Sequence, residues 1–208
     1  MRNIRALSRT LFAFALTLCI AAPALAAPVG RIVPAPRATT NTAMVTGEEM
    51  MAPAGYPAFC RKYLAECFKP LKGNTVVQLT VEKAQELIAV QAHFNKTIVP
   101  TFDPNYVWDY PVDNRGDCNK FALAKRRALI EAGWPREALL LTAAYTETGE
   151  GHLVLVVTTS EGDYVLDNRF EKVMEWRAVP YRWVERQSAE TNGRWVKIRG
   201  SMQVASAN

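Results

Sequence analysis

Read from its amino terminus, the chain changes hydrophobic pattern several times. Arg2, Arg5 and Arg9 lead into an apolar run from Leu11 to Ala22, followed by Ala24-Leu25-Ala26. A short basic stretch, a short apolar stretch and an Ala-x-Ala site have the layout of a secretory signal peptide, residues 1–26. The apolar run is shorter than the ~20 residues of a comfortable membrane span. No stable membrane insertion is therefore expected after cleavage. Residues 27–55 are rich in Ala, Pro, Thr and Met without a sustained period, which predicts a flexible leader. The remainder, 56–208, is expected to form one domain.

Within that domain the first half is helical in period. Tyr56 to Pro70 reads as a short irregular or helical piece. Thr80 suits an N-cap, and Val81, Ala84, Leu87, Ile88 and Ala92 recur at helical spacing to about Asn95. Residues 96–116 contain Pro100, Pro104 and Pro111 with Asp103, Asp109 and Asp113, which predicts a long ordered loop. Trp108 and Tyr110 lie in it, placed either to pin the loop to the core or, for Trp108, to wall a cleft. A second helix then starts at an Asp117 N-cap. Phe121, Ala122, Ala124, Lys125, Ala128, Leu129 and Ala132 suit a buried face, with Lys120, Arg126 and Arg127 on a basic outer edge. Gly133 and Pro135 give a stop signal.

The second half is strand-like. Ala138 to Tyr145, Leu153 to Thr158 and Tyr164 to Leu166 are Val/Leu-rich runs separated by polar turns at Thr146–Gly151 and Ser160–Asp163. Their near-continuous apolar character predicts central strands. Val173–Trp176 and Trp195–Ile198 add edge strands, and Arg182 to Asn192 reads as a polar connection between them.

Charge alters this picture little. The formal net charge is +5, and three of the arginines leave with the signal peptide. There is no Lys/Arg-rich block, so no nucleic-acid partner is implied. Cysteine changes it more. Removal of Cys19 with the signal leaves Cys60, Cys67 and Cys118, an odd number in an exported chain, which suggests one pair and one free thiol. Cys60 and Cys67 are candidates for a disulfide in an oxidising compartment. Seven residues of unbroken helix rise ~10.5 Å, whereas a disulfide spans Cα atoms ~4.4–6.8 Å apart. Pairing therefore requires a bend or break between them; the alternative is two buried free cysteines.

Cys118 stands where the second helix begins. Unpaired N–H groups and the helix dipole at such a start favour a thiolate. His152 opens one apolar strand and Asp167 ends the next, so a base and the carboxylate that orients it are available from adjacent strands. His93, late in a helix, reads as a surface histidine. Structural zinc needs four close ligands, which the trio does not offer. A Gly-rich phosphate loop and a Gly-x-Ser-x-Gly elbow are missing from the sequence.

Gly116-Asp117-Cys118, His152-Leu153-Val154-Leu155 and Leu166-Asp167-Asn168 resemble the bacterial transglutaminase-like cysteine peptidases, whose best-known branch releases biofilm adhesins in the periplasm. The resemblance spans roughly Asn95 to Phe170. It implies an α+β, papain-like core, with a nucleophile helix packed on an antiparallel sheet. It implies Cys118 as nucleophile, His152 as general base and then acid, and Asp167 as orienter. The Cys118 N–H, with a second donor from the Trp108 loop, is the oxyanion candidate. A periplasmic or secreted location and a protein or peptide substrate follow. The adhesin branch carries Asp-Cys-Glu and binds calcium there, whereas this chain has Asp117-Cys118-Asn119. Calcium near Asp117 is thus weakened by the neutral Asn119, since a hard cation prefers carboxylates. No cofactor is otherwise expected. The same fold also serves a non-catalytic binding module or a transglutaminase-type amide acyltransferase.

Overall fold

The structure is a computed structural model and describes residues 43–70 and 75–200. The expected signal peptide and most of the expected leader lie outside the described residues. In chain order the elements are strand β1 (Val45–Met50), helices α1 (Gly55–Lys62), α2 (Leu64–Phe68) and α3 (Val81–Thr97), and short strands β2 (Val99–Pro100) and β3 (Arg115–Gly116). Helix α4 (Cys118–Glu131) follows. Then come β4 (Leu139–Tyr145), β5 (Gly151–Thr159), β6 (Gly162–Leu166), β7 (Met174–Glu175), β8 (Arg182–Gln187) and β9 (Trp195–Arg199). One antiparallel sheet takes the order β1-β9-β8-β4-β5-β6-β7, with α4 packed across β5 and β4. The class is α+β, as expected.

Strand β5 is apolar without alternation because both of its faces are covered. Leu153, Leu155 and Val157 point to the helical side, among Leu123, Leu129 and Leu87. Val154 and Val156 point the other way, into Trp176, Val179, Tyr181 and Trp183. Helix α3 begins as the sequence predicts, with Thr80 Oγ1 accepting from the Lys83 N–H at 3.2 Å. It runs two residues past Asn95. Helix α4 ends at Gly133, whose φ of +87° suits a residue without Cβ. The Trp134 N–H donates to Leu129 O and the Gly133 N–H to Ile130 O, so two end carbonyls are satisfied.

The two cysteines meet as a disulfide, with Cα atoms 5.6 Å apart. The required break is at Tyr63, where φ −127° and ψ 65° separate α1 from α2.

Several sequence expectations need correction. Arg182–Gln187 is not a connection but strand β8, hydrogen-bonded between β4 and β9. Its inward positions are Trp183, Glu185 and Gln187, so two of the three buried side chains are polar and the period-2 hydrophobic signal is lost. Gln187 is satisfied there, accepting from the Leu141 N–H and donating to the Tyr56 hydroxyl. Strand β9 is not an edge, because β1, drawn from the expected leader, covers it. Asp163, read as a turn residue, is fully buried in β6, where it accepts from the Met44 N–H and pairs with Arg186 at 2.9 Å. Arg126 is not on an outer edge. Its guanidinium is buried, donates to Leu139 O and pairs with Glu66, tying α2 to α4.

Candidate active site

The site is built from the chain's longest loop. Its ends are zipped together by the parallel pair β2 and β3, with the Val99 N–H on Asn114 O at 2.7 Å and the Thr101 N–H on Gly116 O at 2.8 Å. The residues between form a closed loop that delivers Gly116-Asp117 straight into the first turn of α4. Trp108 anchors the loop inward, edge-on to Tyr56 and Trp195. Its pyrrole edge lies so close to Gly55 that a Cβ there would collide with it. Trp108 therefore does both things the sequence left open: it pins the loop and it lines the cleft.

Lys120 anchors the loop on its other side. Its ammonium donates to Asp103 Oδ2 and Val107 O, both at 3.0 Å, and lies 3.3 Å from Asp117 Oδ1. Asp117 holds the N-cap position with extended backbone, but its side chain makes no capping bond. It is spent instead on Lys120 and on Asn119, whose Nδ2 donates to Oδ2 at 2.9 Å.

Cys118 is the first residue of α4, where a backbone N–H has no acceptor inside the helix. It is the free cysteine among the described residues and is partly exposed. His152 is the second residue of β5 and Asp167 directly follows β6, so antiparallel pairing brings them together. His152 Nε2 donates to Asp167 Oδ1 at 2.8 Å. That leaves Nδ1 unengaged by Asp167, and His152 and the Cys118 thiol line the same cleft. Burial by itself disfavours the imidazolium. The bond and charge of Asp167, together with Cys118, outweigh it and raise the imidazole to about 9.

Asp167 is the best-supported side chain in the molecule. Burial works to raise its carboxyl, but His152, the Tyr181 hydroxyl and the Arg169 N–H hold it below the ordinary range. Tyr181 donates to Oδ2 at 2.5 Å, and the Arg169 N–H to Oδ1 at 3.1 Å. Arg169 in turn donates to the Tyr181 oxygen and pairs with Glu147. The backbone of the same turn is clamped from α3. Gln91 Nε2 and Asn95 Nδ2 both donate to the carbonyls of Asp167 and Phe170. Gln91 Oε1 then accepts from Lys125 on α4 at 2.8 Å, a buried ammonium that burial lowers to about 7. None of Tyr181, Arg169, Gln91 or Lys125 was singled out for the site from sequence. The apolar-strand pattern marks Asp167, but nothing in spacing marks a tyrosine that arrives from a later connection.

Cys118 and His152 open on a cleft of about 610 Å3, also lined by Phe102, Tyr106, Trp108 and Glu185 among others, with Asp167 buried and bonded to His152. Glu185 forms part of its floor. The residue is buried, its Oε2 has no hydrogen-bond partner among the described residues, and burial raises its carboxyl. His93 is exposed and far from this chemistry in sequence and role, as expected.

Residues 46–203 match the family of bacterial transglutaminase-like cysteine proteinases, BTLCP. The chain belongs to this family. Solved structures similar to it include Legionella pneumophila LapG, at 30% identity over 53% of this chain and 67% of that one, with a TM-score of 0.46. A calcium-bound form of that protein aligns at 24% identity over 59% and 73%, with a TM-score of 0.49. An EGTA-treated form aligns at 30% over 53% and 65%, with a TM-score of 0.47. No curated protein matches the chain. Family membership makes the chain cysteine-proteinase-like, with a protein substrate as the natural class. Among the described residues no helix is long and apolar enough to cross a membrane.

Proposed function

We propose that the protein is an exported cysteine peptidase that cleaves a peptide bond through Cys118, His152 and Asp167. The observation that carries this is the His152–Asp167 bond at 2.8 Å, with His152 and the free thiol at the start of α4 lining one cleft. Export is supported by the disulfide and by the signal-like residues 1–26.

In this reading Asp167 fixes the ring through Nε2, so that Nδ1 exchanges a proton with Cys118. The sulfur attacks the substrate carbonyl, the C=O opens to an oxyanion, and the Cys118 N–H donates to it. The imidazolium returns its proton to the leaving amine as the C–N bond breaks, leaving a thioester. Water, deprotonated by His152, then attacks the thioester; the sulfur leaves and the acid product is released. Tyr181 and Arg169 hold the carboxylate during these proton movements. The second oxyanion donor is assigned to the backbone of the Trp108 loop, because the indole pyrrole edge is turned to Gly55.

The test is incubation of the mature protein with a proteome-derived peptide mixture, with and without a labelled primary amine, beside Cys118→Ala. New N-termini that vanish in the variant support hydrolysis. Incorporation of the amine without new N-termini replaces hydrolysis by acyl transfer. Identical products from wild type and Cys118→Ala overturn the assignment.

A further inference from the structure

The resemblance to the adhesin-releasing branch, and the calcium-bound form of one structural neighbour, raise the question of whether this loop holds a divalent cation. The residues present do not fit one. Among the described residues no three His, Cys, Asp or Glu side chains stand close enough to hold a metal ion. The two carboxylates that face each other across the loop, Asp103 and Asp117, are already bridged by the Lys120 ammonium. A divalent ion placed between them would sit against a fixed positive charge, with only two carboxylates to offset both. The third position, Asn119, carries no charge: its Nδ2 donates to Asp117, and its buried Oδ1, without a partner among the described residues, offers a neutral oxygen where a hard cation prefers a carboxylate.

The ammonium behaves as a bound cation does. It takes two carboxylate oxygens and one carbonyl, Val107 O, from three separate points of the loop and helix start. Its side chain is 14% exposed; the two carboxylate bonds are part-buried and the bond to the Val107 carbonyl lies at the surface. The fit extends to the backbone: a Cβ at Gly116 would lie 2.6 Å from Lys120 Cβ, so the glycine lets the lysine stem fold back over the strand. Asp103 also accepts from the Asn105 and Val107 N–H groups, which makes it the hinge-pin of residues 103–107. Asp103 and Asp117 line the cleft, and Val107 lies between Tyr106 and Trp108, which also line it.

We propose that Lys120 is the resident cation of this loop, that its ammonium takes the place of a metal ion, and that the chain positions Cys118 and the cleft wall without calcium. Lys120 is a positioning residue: it acts through Asp103, Val107 and Asp117 and touches no reacting atom. The inference is independent of the reaction catalysed, because its readouts are stability and thiol reactivity.

The experiment compares the EGTA-washed mature protein with Lys120→Met and Lys120→Arg. Each is measured with and without millimolar calcium, by thermal melting and by the rate of iodoacetamide labelling at Cys118. The wild-type protein is expected to show the same Tm and the same labelling rate with or without calcium. Lys120→Met is expected to melt about 3–6 °C lower and to change its labelling rate several-fold. Lys120→Arg keeps a cation and should recover most of both, which a purely apolar packing role of the stem would not require. A calcium-dependent rise in the wild-type Tm overturns the proposal, even if Lys120→Met fails to fold. So does a Lys120→Met protein that matches wild type in both readouts.

Discussion

At the scale of single residues, the chemistry rests on how unequally the environment treats two side chains. His152 is buried, which by itself would strip its charge, yet a buried carboxylate with three donors of its own keeps it protonated to about pH 9. A folded value above the ordinary 6.5 means that the folded chain binds this proton more tightly. Its contribution to stability is complete below pH 6.5 and lost as pH rises through 9. The wild-type Tm is therefore expected to fall between pH 6.5 and 9, and His152→Ala to show a flatter profile over the same window. Calorimetry of the two proteins across that range checks it. The same substitution should slow iodoacetamide labelling of Cys118 at neutral pH by about tenfold or more, since the imidazolium that favours the thiolate is gone. A labelling profile identical to wild type would remove His152 from the site. Cys118, His152 and Asp167 stood out in the sequence because Cys118 opens a helical pattern and is left over in the cysteine count, while His152 and Asp167 bound apolar strand runs. Tyr181 and Arg169 did not, because neither interrupts anything; their role exists only once β6 and the connection before β8 are folded together.

At the scale of elements, α3 holds the turn that carries Asp167. Gln91 and Asn95 lie one helical turn apart, and each donates to the carbonyls of Asp167 and Phe170, so the turn is gripped by its backbone and not by its side chains. When one donor is removed each carbonyl keeps the other, so each lost bond costs about 0.5–1.5 kcal/mol. Gln91→Ala has a second consequence, because it also strips the Lys125 ammonium of its carbonyl partner. Gln91→Ala is therefore expected to cost more stability than Asn95→Ala in urea melts. Both should lower turnover more than substrate affinity, because the carboxylate, and not the cleft, loses its position. Equal stability for Gln91→Ala and wild type would show that the clamp is idle. Helical period placed α3 and α4 correctly from the sequence, since their buried positions are mostly apolar, the exceptions being Gln91, Asn119, Lys125 and Arg126. Strand β8 was misread for the opposite reason: its inward Glu185 and Gln187 break the hydrophobic alternation by which a strand is recognised.

At the scale of the whole molecule, the disulfide decides whether the helical cap stays on the sheet. Cys60 and Cys67 join α1 to α2, two elements of eight and five residues that are too short to be stable alone. Together they carry Tyr56 and Phe59 into the cluster around Trp108 and Trp195, and they carry Glu66 to the buried Arg126. The pair was legible in the sequence as a count, and the break at Tyr63 as a geometric necessity, whereas the destination of Glu66 was hidden because Arg126 reads as a surface charge. Closing so small a loop stabilises the fold by about 2.5 kcal/mol in the chain-entropy view. Cys60→Ser with Cys67→Ser should accordingly lower Tm by about 5–10 °C. The loss should reach the site, because Trp108 rests on Tyr56 and Gly55 of the same cap. The double variant is expected to label more readily than wild type at Cys118 near its own melting range and to quench less of its Trp fluorescence. A double variant that melts with wild type would mean that packing around Phe59 and Trp195 holds the cap without the covalent link.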